Sequence, residues 1–177
     1  MENVDFSDMK EHWTEVCDAL GTPLIITADE VSYTRRRRAY WTNFEIPENW
    51  KSGLSPRDAN TIMGEGRRIQ KHASAKGLYV KPIGASWSGS KEDPKANTNA
   101  PVLVFDDSQD TPQHLTPEEA EQLMGMEPGT TAGDGITAID RLRCIGAGWD
   151  INVTSALLKY FENDEQQVLA AIKGLVA

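Results

Sequence analysis

Four consecutive arginines, Arg35 to Arg38, lead into an alternating stretch at residues 38–44. The alternation predicts a β-strand, in which successive side chains point to opposite faces. The run therefore places two arginines on each face of the strand. One of these faces should be buried unless an anion lies against it. An unpaired guanidinium is costly to bury, so the arginines of a buried face need partners.

The charges are distributed unevenly along the chain. The protein has 177 residues and a net charge of −9, a value that alone argues against a nucleic-acid binder. However, residues 31–89 hold 11 of the 18 Lys and Arg residues and only 4 of the 27 Asp and Glu residues. A basic middle between acidic ends indicates contact with a polyanion. The alternative is a solvated surface of mixed charge.

Composition limits the possible classes of protein. The length fits one domain, and no stretch approaches the roughly 18 apolar residues of a membrane span. Two cysteines, Cys17 and Cys144, indicate a reducing, cytoplasmic environment without disulfides, and both are expected to be small core residues. The three histidines are scattered, so no metal site is expected.

Capping residues and apolar spacing predict the first elements. Ser7 is expected to cap a helix that ends at Gly21. A helical stretch is predicted after Ser55 and Pro56, and irregular surface at residues 76–101. Strands are predicted at residues 23–27, 38–44 and 101–105.

The closing segment is predicted to be helical. Thr116 suits an N-cap, Pro117 the first helical position, and Glu119 the third position of a capping box. The predicted helices run at about residues 116–125, 136–144, 153–161 and 165–176.

Four motifs occur along the chain in one order. They are Glu2-Asn3-Val4, then Arg36-x-Arg38-x-x-Trp41-x-Asn43, then residues 115–126, then residues 143–153. In this order they resemble the second half of the catalytic domain of DNA (cytosine-5) methyltransferases, closest to the animal de novo branch. Two residues depart from the family pattern. Thr34 stands in place of a glutamine, and Ala147 in place of an asparagine.

The resemblance implies an α+β fold. A partial doubly wound methyltransferase sheet would carry closing helices and an inserted, irregular target recognition module. The implied divisions are residues 1–45 for the C-terminal part of the catalytic domain, 46–113 for the target recognition domain, and 114–177 for the helical closing segment.

The resemblance also implies roles for individual residues. Glu2 would hydrogen-bond the flipped cytosine, and Arg36 and Arg38 would reach that base and its phosphate. One wall of the S-adenosylmethionine pocket would consist of Ala147, Gly148 and Trp149. Without the motif order, Glu2 would be an ordinary terminal acid and Trp149 a helix-packing residue.

Duplex DNA is the expected partner of the basic module, through phosphate contacts and a loop that reaches base edges. The alternative for the loop is a mobile surface segment. The expected DNA-binding residues are Arg67, Arg68, Lys71, Lys76, Lys81, Ser86, Trp87 and Ser88.

The sequence lacks a Pro-Cys dipeptide and a Phe-x-Gly-x-Gly cofactor loop. Because a thiolate must add to C6 of cytosine before C5 accepts a methyl group, we expect no activity from this chain alone. The resemblance implies an N-terminal methyltransferase half that carries the Pro-Cys loop and most of the cofactor site, or self-association without it. The chain alone is expected to bind S-adenosylmethionine weakly or not at all. Two alternatives are a catalytically inactive methyltransferase-like regulator or DNA-binding module, and a truncated gene product.

Overall fold

The computed structural model describes residues 1–69, 103–111, 113–161 and 166. The strands are β1 (Glu2–Val4), β2 (Leu24–Thr27), β3 (Arg37–Tyr40), β4 (Arg67–Ile69), β5 (Leu103–Asp106) and β6 (Gln113–His114). The helices are α1 (Lys10–Leu20), α2 (Pro117–Leu123), α3 (Ala138–Ala147) and α4, which covers residues 151–161. Short 3-10 turns lie at Ala28–Glu30 and Ala59–Ile62.

The first sheet has the strand order β1-β3-β2, and β3 pairs antiparallel with both neighbours. Because both outer strands oppose β3, β1 and β2 run in the same direction. Glu2 lies opposite Tyr40, and Leu24 lies opposite Tyr40 on the other side. The register therefore brings the start of the chain beside the end of the arginine run.

Helix α4 packs on one face of this sheet, and α1 reaches the other face through an aromatic contact. Ile26 and Tyr40 belong to a buried cluster with Val153 and Leu157 of α4. The backbone ladder continues to Trp41, whose amide donates to the Met1 carbonyl, so the Trp41 side chain points to the face opposite Tyr40. There its ring lies 5.9 Å from Trp13 of α1.

Helix α1 contacts the sheet only partly. Met9 occupies its N-cap without a side-chain hydrogen bond, so the prediction that Ser7 caps this helix is wrong. Gly21, at φ 83°, ends the helix as predicted, and its N–H donates to the Cys17 carbonyl. Trp13 and Cys17 are half-buried, and α1 has no fully buried side chain.

The second sheet has the antiparallel order β4-β5-β6 and packs against α2 and α3. Its buried cluster includes Ile69, Val104, Leu123, Met124 and Ile145. Residues from 46–113 and from 114–177 therefore share one core in the part of the chain that the structure describes.

Local capping explains where α2 and α3 begin. Thr116 Oγ1 accepts from the Glu119 N–H, and the Glu119 carboxylate accepts from the Thr116 N–H at 2.8 Å, with Pro117 in the first turn. Thr137 and Asp140 form the same reciprocal pair at α3. The capping box predicted at Thr116 is confirmed.

The mixed α+β class is confirmed. Among the described residues all strand pairings are antiparallel, and the parallel doubly wound sheet that the resemblance implied is not seen. Ser55 and Pro56 open no α-helix, since the following residues form only the short turn Ala59–Ile62. Cys144 is exposed, so its assignment to the core is wrong. Position 144 falls outside the α3 stripe that buries Leu142 and Ile145.

Across the described ranges, no helix is long and apolar enough to cross a membrane.

Candidate functional site

Glu2 and Arg38 meet on one face of the first sheet. Diagonal neighbours on adjacent antiparallel strands lie within reach of long side chains. Arg38 Nε lies 3.1 Å from Glu2 Oε1, and the two side chains are only 16% and 11% exposed. The structure thus brings together two of the three residues that the sequence proposed for base binding.

Two buried polar atoms of this region have no hydrogen-bond partner among the described residues: Glu2 Oε1 and Arg36 Nε. The contact from Arg38 to Glu2 has the distance of an ion pair, but its N–H does not point at Oε1, so the acceptor remains unused. A buried polar atom without a hydrogen bond costs about 1–3 kcal/mol. Each such atom in a native fold calls for an explanation, and a catalytic role or a bound water or ion is one of those that native structures show.

Arg36 is buried, with 4% of its surface exposed, and its guanidinium points at the end of α3. Nη1 donates to the Gly146 carbonyl at 3.1 Å and Nη2 to the Gly148 carbonyl at 2.7 Å. A cation is favoured there because the C-terminal carbonyls of a helix carry partial negative charge. Burial lowers the pKa of Arg36 from its ordinary value, and neighbouring Arg38 lowers it further.

A buried carboxylate, Asp150, lies behind the arginines. It accepts hydrogen bonds from the hydroxyls of Ser32 and Thr34, each at 3.3 Å, and from the Val153 N–H at 3.2 Å. Burial raises the pKa of Asp150, against the effect of these hydrogen bonds. Burial also raises the pKa of the Tyr40 phenol, and the nearby carboxylates raise it further. Sequence reasoning missed Asp150 as a site residue; its position before an apolar helical stretch was the available signal.

The residues proposed for the cofactor lie where α3 ends. Ala147 is exposed, Gly148 is half-buried, and Trp149 keeps 49% of its surface exposed. A Cβ at Gly148 would lie 3.3 Å from the Ile145 carbonyl oxygen and 3.4 Å from Met126 Cε, so the position favours glycine. Because Gly148 accepts from Arg36, this segment is joined directly to the arginines of the first sheet.

Arg67, proposed as a phosphate contact, points inward. Nε and Nη2 donate to the two carboxylate oxygens of Glu119 at 2.7 and 3.0 Å, and Nη1 donates to Asp106 at 2.9 Å. The hydrogen bond with Glu119 is the main reason that the pKa of Arg67 is raised. These partners occupy all three nitrogens of the guanidinium and tie the second sheet to α2.

Arg68 is the described member of the proposed DNA-binding set that faces solvent. Its side chain is 59% exposed, pairs with Asp107 and lies over the Phe105 ring, 5.9 Å from the centroid. The other proposed contacts lie outside the described residues: Lys71, Lys76, Lys81, Ser86, Trp87 and Ser88.

Arg57 is an exposed cation that the sequence analysis did not select. Its Nη1 donates to Asn152 Oδ1 at 3.1 Å, and its guanidinium lies 5.5 Å from the centroid of the Tyr33 ring. Its backbone N–H donates to the Ser32 carbonyl at 3.1 Å. Both side-chain partners of Arg57 are neutral. The contact with Asn152 could not be predicted from the sequence, because the two residues lie 95 positions apart.

A second buried carboxylate, Glu121, organises the loop that precedes α3. It accepts from the Gly129 N–H at 2.5 Å, from the Thr131 N–H at 2.7 Å and from Arg141 Nη2 at 3.0 Å. Burial acts to raise the pKa of Glu121, but the hydrogen bonds from Thr131, Arg141 and Gly129 outweigh it and lower the pKa to about 2. Neither oxygen of Glu121 is left without a hydrogen bond, so the network needs no ligand to complete it.

Within the described residues, no group of His, Cys, Asp and Glu side chains could hold a metal ion.

No protein-family model matches this chain, and no curated protein matches it.

Proposed function

We propose that this chain supplies the base-binding and target-recognition part of a DNA (cytosine-5) methyltransferase. The proposal depends above all on the Glu2 carboxylate, which is held beside Arg38 with a buried acceptor that no described residue uses. The nucleophilic cysteine and most of the cofactor site would come from a segment outside this sequence.

The chemistry at Glu2 is hydrogen bonding to a flipped cytosine. A carboxylate oxygen accepts from the exocyclic amino group, and a proton held between the carboxyl group and N3 neutralises charge that builds on the ring. That charge appears when the lone pair of a thiolate forms the C6–S bond and the C5=C6 electrons move into the ring. Glu2 Oε1 meets the requirement for an available acceptor in a shielded site.

The strand directions of the first sheet support the proposal that it forms the edge part of a larger sheet. β1 and β2 run in the same direction around an antiparallel β3, with helices on both faces. Mixed sheets, in which an antiparallel strand joins otherwise parallel ones, are common in doubly wound folds. β1 is an edge strand within the described residues, and an edge of this kind is usually covered or paired. The proposal therefore includes a partial doubly wound sheet completed beyond β1.

The end of α3 supports the cofactor side of the proposal. The half-exposed Trp149 fits one wall against the aromatic base of a nucleoside. S-adenosylmethionine, when bound, would supply the methyl group. Arg36 joins this wall to β3 through the Gly146 and Gly148 carbonyls, so it would act by positioning both sides of the site.

The proposal is tested by pairing the chain with a cytosine-5 methyltransferase half that carries the Pro-Cys loop. The readout is transfer of a labelled methyl group to duplex DNA. Glu2→Gln should lower the rate about 100-fold or more, the range for losing one acid–base group. Glu15→Gln is the matched control, because the Glu15 side chain on α1 is 71% exposed. This variant should assemble with the partner half and transfer methyl groups at the wild-type rate.

Two results would contradict the proposal. One is a working pair in which Glu2→Gln methylates DNA at the wild-type rate. The other is a pair that assembles, contains the reactive cysteine and leaves cytosine unmodified.

A second candidate is a non-catalytic relative that regulates a complete methyltransferase. The observation that favours it is the engagement of Arg36 by backbone carbonyls, which uses donors that a base contact would need. In that case the wild-type chain and Glu2→Gln would change the rate of an intact enzyme equally.

A further inference from the structure

Apart from Arg57, the basic residues of segment 31–69 are either buried or interact with an acidic side chain. Arg35 interacts electrostatically with Asp29, and Arg36 uses helix-end carbonyls. The ion pairs of the others are Arg37 with Asp5, Arg38 with Glu2, Lys51 with Glu30, Arg67 with Asp106 and Glu119, and Arg68 with Asp107. The excess of positive charge in the sequence therefore does not translate into free cations on this surface.

Arg57 differs from all of these. It is exposed, and no acidic side chain of the described residues pairs with it. Asn152 and Tyr33 fix its guanidinium without neutralising it. Its Nε and Nη2 make no hydrogen bond within the described part of the chain, which leaves one edge of the fork available. A preorganised guanidinium with a free edge is suited to bidentate binding of a phosphate.

The position of Arg57 connects it to the candidate site. Asn152 Nδ2 donates to Ser32 Oγ at 3.0 Å, and Ser32 Oγ donates to Asp150 at 3.3 Å. Asp150 in turn accepts from Thr34, two residues before Arg36. A phosphate on Arg57 would thus lie next to the loop that leads into the arginine run.

We propose that Arg57 binds a backbone phosphate of DNA beside the base-binding face of the first sheet. This inference rests on the proposed function for the identity of the polyanion, and it deepens that function by assigning a contact outside the basic module. All three guanidinium nitrogens of Arg67 donate to side chains of the protein. Arg57 is therefore better placed than Arg67 to contact the DNA backbone.

The test is fluorescence anisotropy of the full chain with labelled duplex DNA across a salt series. One phosphate contact contributes about 0.9 to the slope of log affinity against log salt. Between 50 and 200 mM salt, wild type should therefore lose about 3.5-fold more affinity than Arg57→Ala. Arg57→Lys should keep the slope, because it keeps the charge.

Arg37→Ala is the matched control, since Arg37 is 59% exposed but already paired with Asp5. Its slope should equal that of wild type. An unchanged slope in Arg57→Ala, an equal fall in both variants, or no DNA binding by wild type at low salt would overturn the inference. These outcomes are separate from the test of the proposed function, because the Glu2 experiment measures methyl transfer and this one measures binding without the catalytic half.

Discussion

Glu121 offers a direct test of how the closing segment is held together. The carboxylate has no exposed surface and accepts four hydrogen bonds, two of them from the Thr131 N–H and hydroxyl. In Glu121→Gln one oxygen becomes an NH2 group that must face a backbone N–H. A buried donor without an acceptor costs about 1–3 kcal/mol, and a charge-assisted bond to Arg141 is weakened as well. We expect a loss of about 3 kcal/mol in the free energy of unfolding.

The lowered pKa of Glu121 gives a second value for its contribution to the free energy of unfolding, and the two values agree. The fold lowers it from 4.5 to about 2. One pKa unit corresponds to about 1.4 kcal/mol, so the ionised group contributes roughly 3 kcal/mol at neutral pH. Because the folded pKa is the lower one, this contribution is complete above about pH 5 and is lost as the pH falls toward 2. The difference between wild type and Glu121→Gln should be about 2 kcal/mol smaller at pH 3 than at pH 7.

Urea and thermal unfolding at several pH values measure both effects. For a domain of this size, 3 kcal/mol corresponds to a fall of about 6–12 °C in Tm. Glu127→Gln is the control, because Glu127 is exposed in the same loop and should change stability by less than about 0.5 kcal/mol. Equal stability of the two variants at pH 7, or a difference that does not shrink in acid, would refute the structural role of Glu121.

Two further predictions concern polar partners that lie far apart in sequence. Arg67→Ala should lower the free energy of unfolding by about 2 kcal/mol, because Glu119 loses its bidentate partner, whereas Arg68→Ala at an exposed site should change little. Similar melting temperatures for the two variants would instead place Arg67 on the surface. Thr34→Val should cost about 1–3 kcal/mol, because Asp150 loses a donor in a buried site, and Thr34→Ser should restore most of it. Chemical denaturation distinguishes these results, and a fully stable Thr34→Val would contradict the hydrogen bond to Asp150.

The parts of the fold that were predicted correctly have local causes. Thr116, Pro117 and Glu119 specify the start of α2 within four residues, and Gly21 ends α1 through its own backbone conformation. The prediction failed at Ser7, where the helix begins at Lys10 instead, so local signals fixed the existence of this helix better than its boundary.

The candidate site was predictable only in part. Glu2 and Arg38 were both predicted as base-binding residues and do lie together, but their ion pair with each other was not predicted. Nothing local indicated that β3 would lie between β1 and β2, because that pairing joins residues almost forty positions apart. Asp150 and its partner Ser32 lie 118 residues apart, and the periodicity of one segment carries no information about such a contact.

Charge patterning has a similar limit, because it does not separate paired cations from unpaired ones. The sequence identifies Arg67 and Arg57 equally as cations of a basic segment, but it does not show which of them meets an acid. Arg67 pairs with Glu119, 52 residues away, whereas Arg57 contacts two neutral groups among the described residues, the Asn152 amide and the Tyr33 ring. An electrostatic surface depends on the cations that remain unpaired after folding, and the count of charges in a segment does not give that number.

The arginine run explains why the choice of Glu2 variant matters. Alternation places Arg36 and Arg38 on one shielded face, where like charges repel, so each is stabilised by its own negative or partly negative partner. The fold gives Arg36 the carbonyls at the end of α3 and gives Arg38 the carboxylate of Glu2. Removing the whole Glu2 side chain would leave Arg38 without its partner and would mix a structural effect with a chemical one. Glu2→Gln keeps a carbonyl oxygen of similar size beside Arg38, so a loss of methyl transfer at an unchanged melting temperature reports on the acid–base chemistry of Glu2.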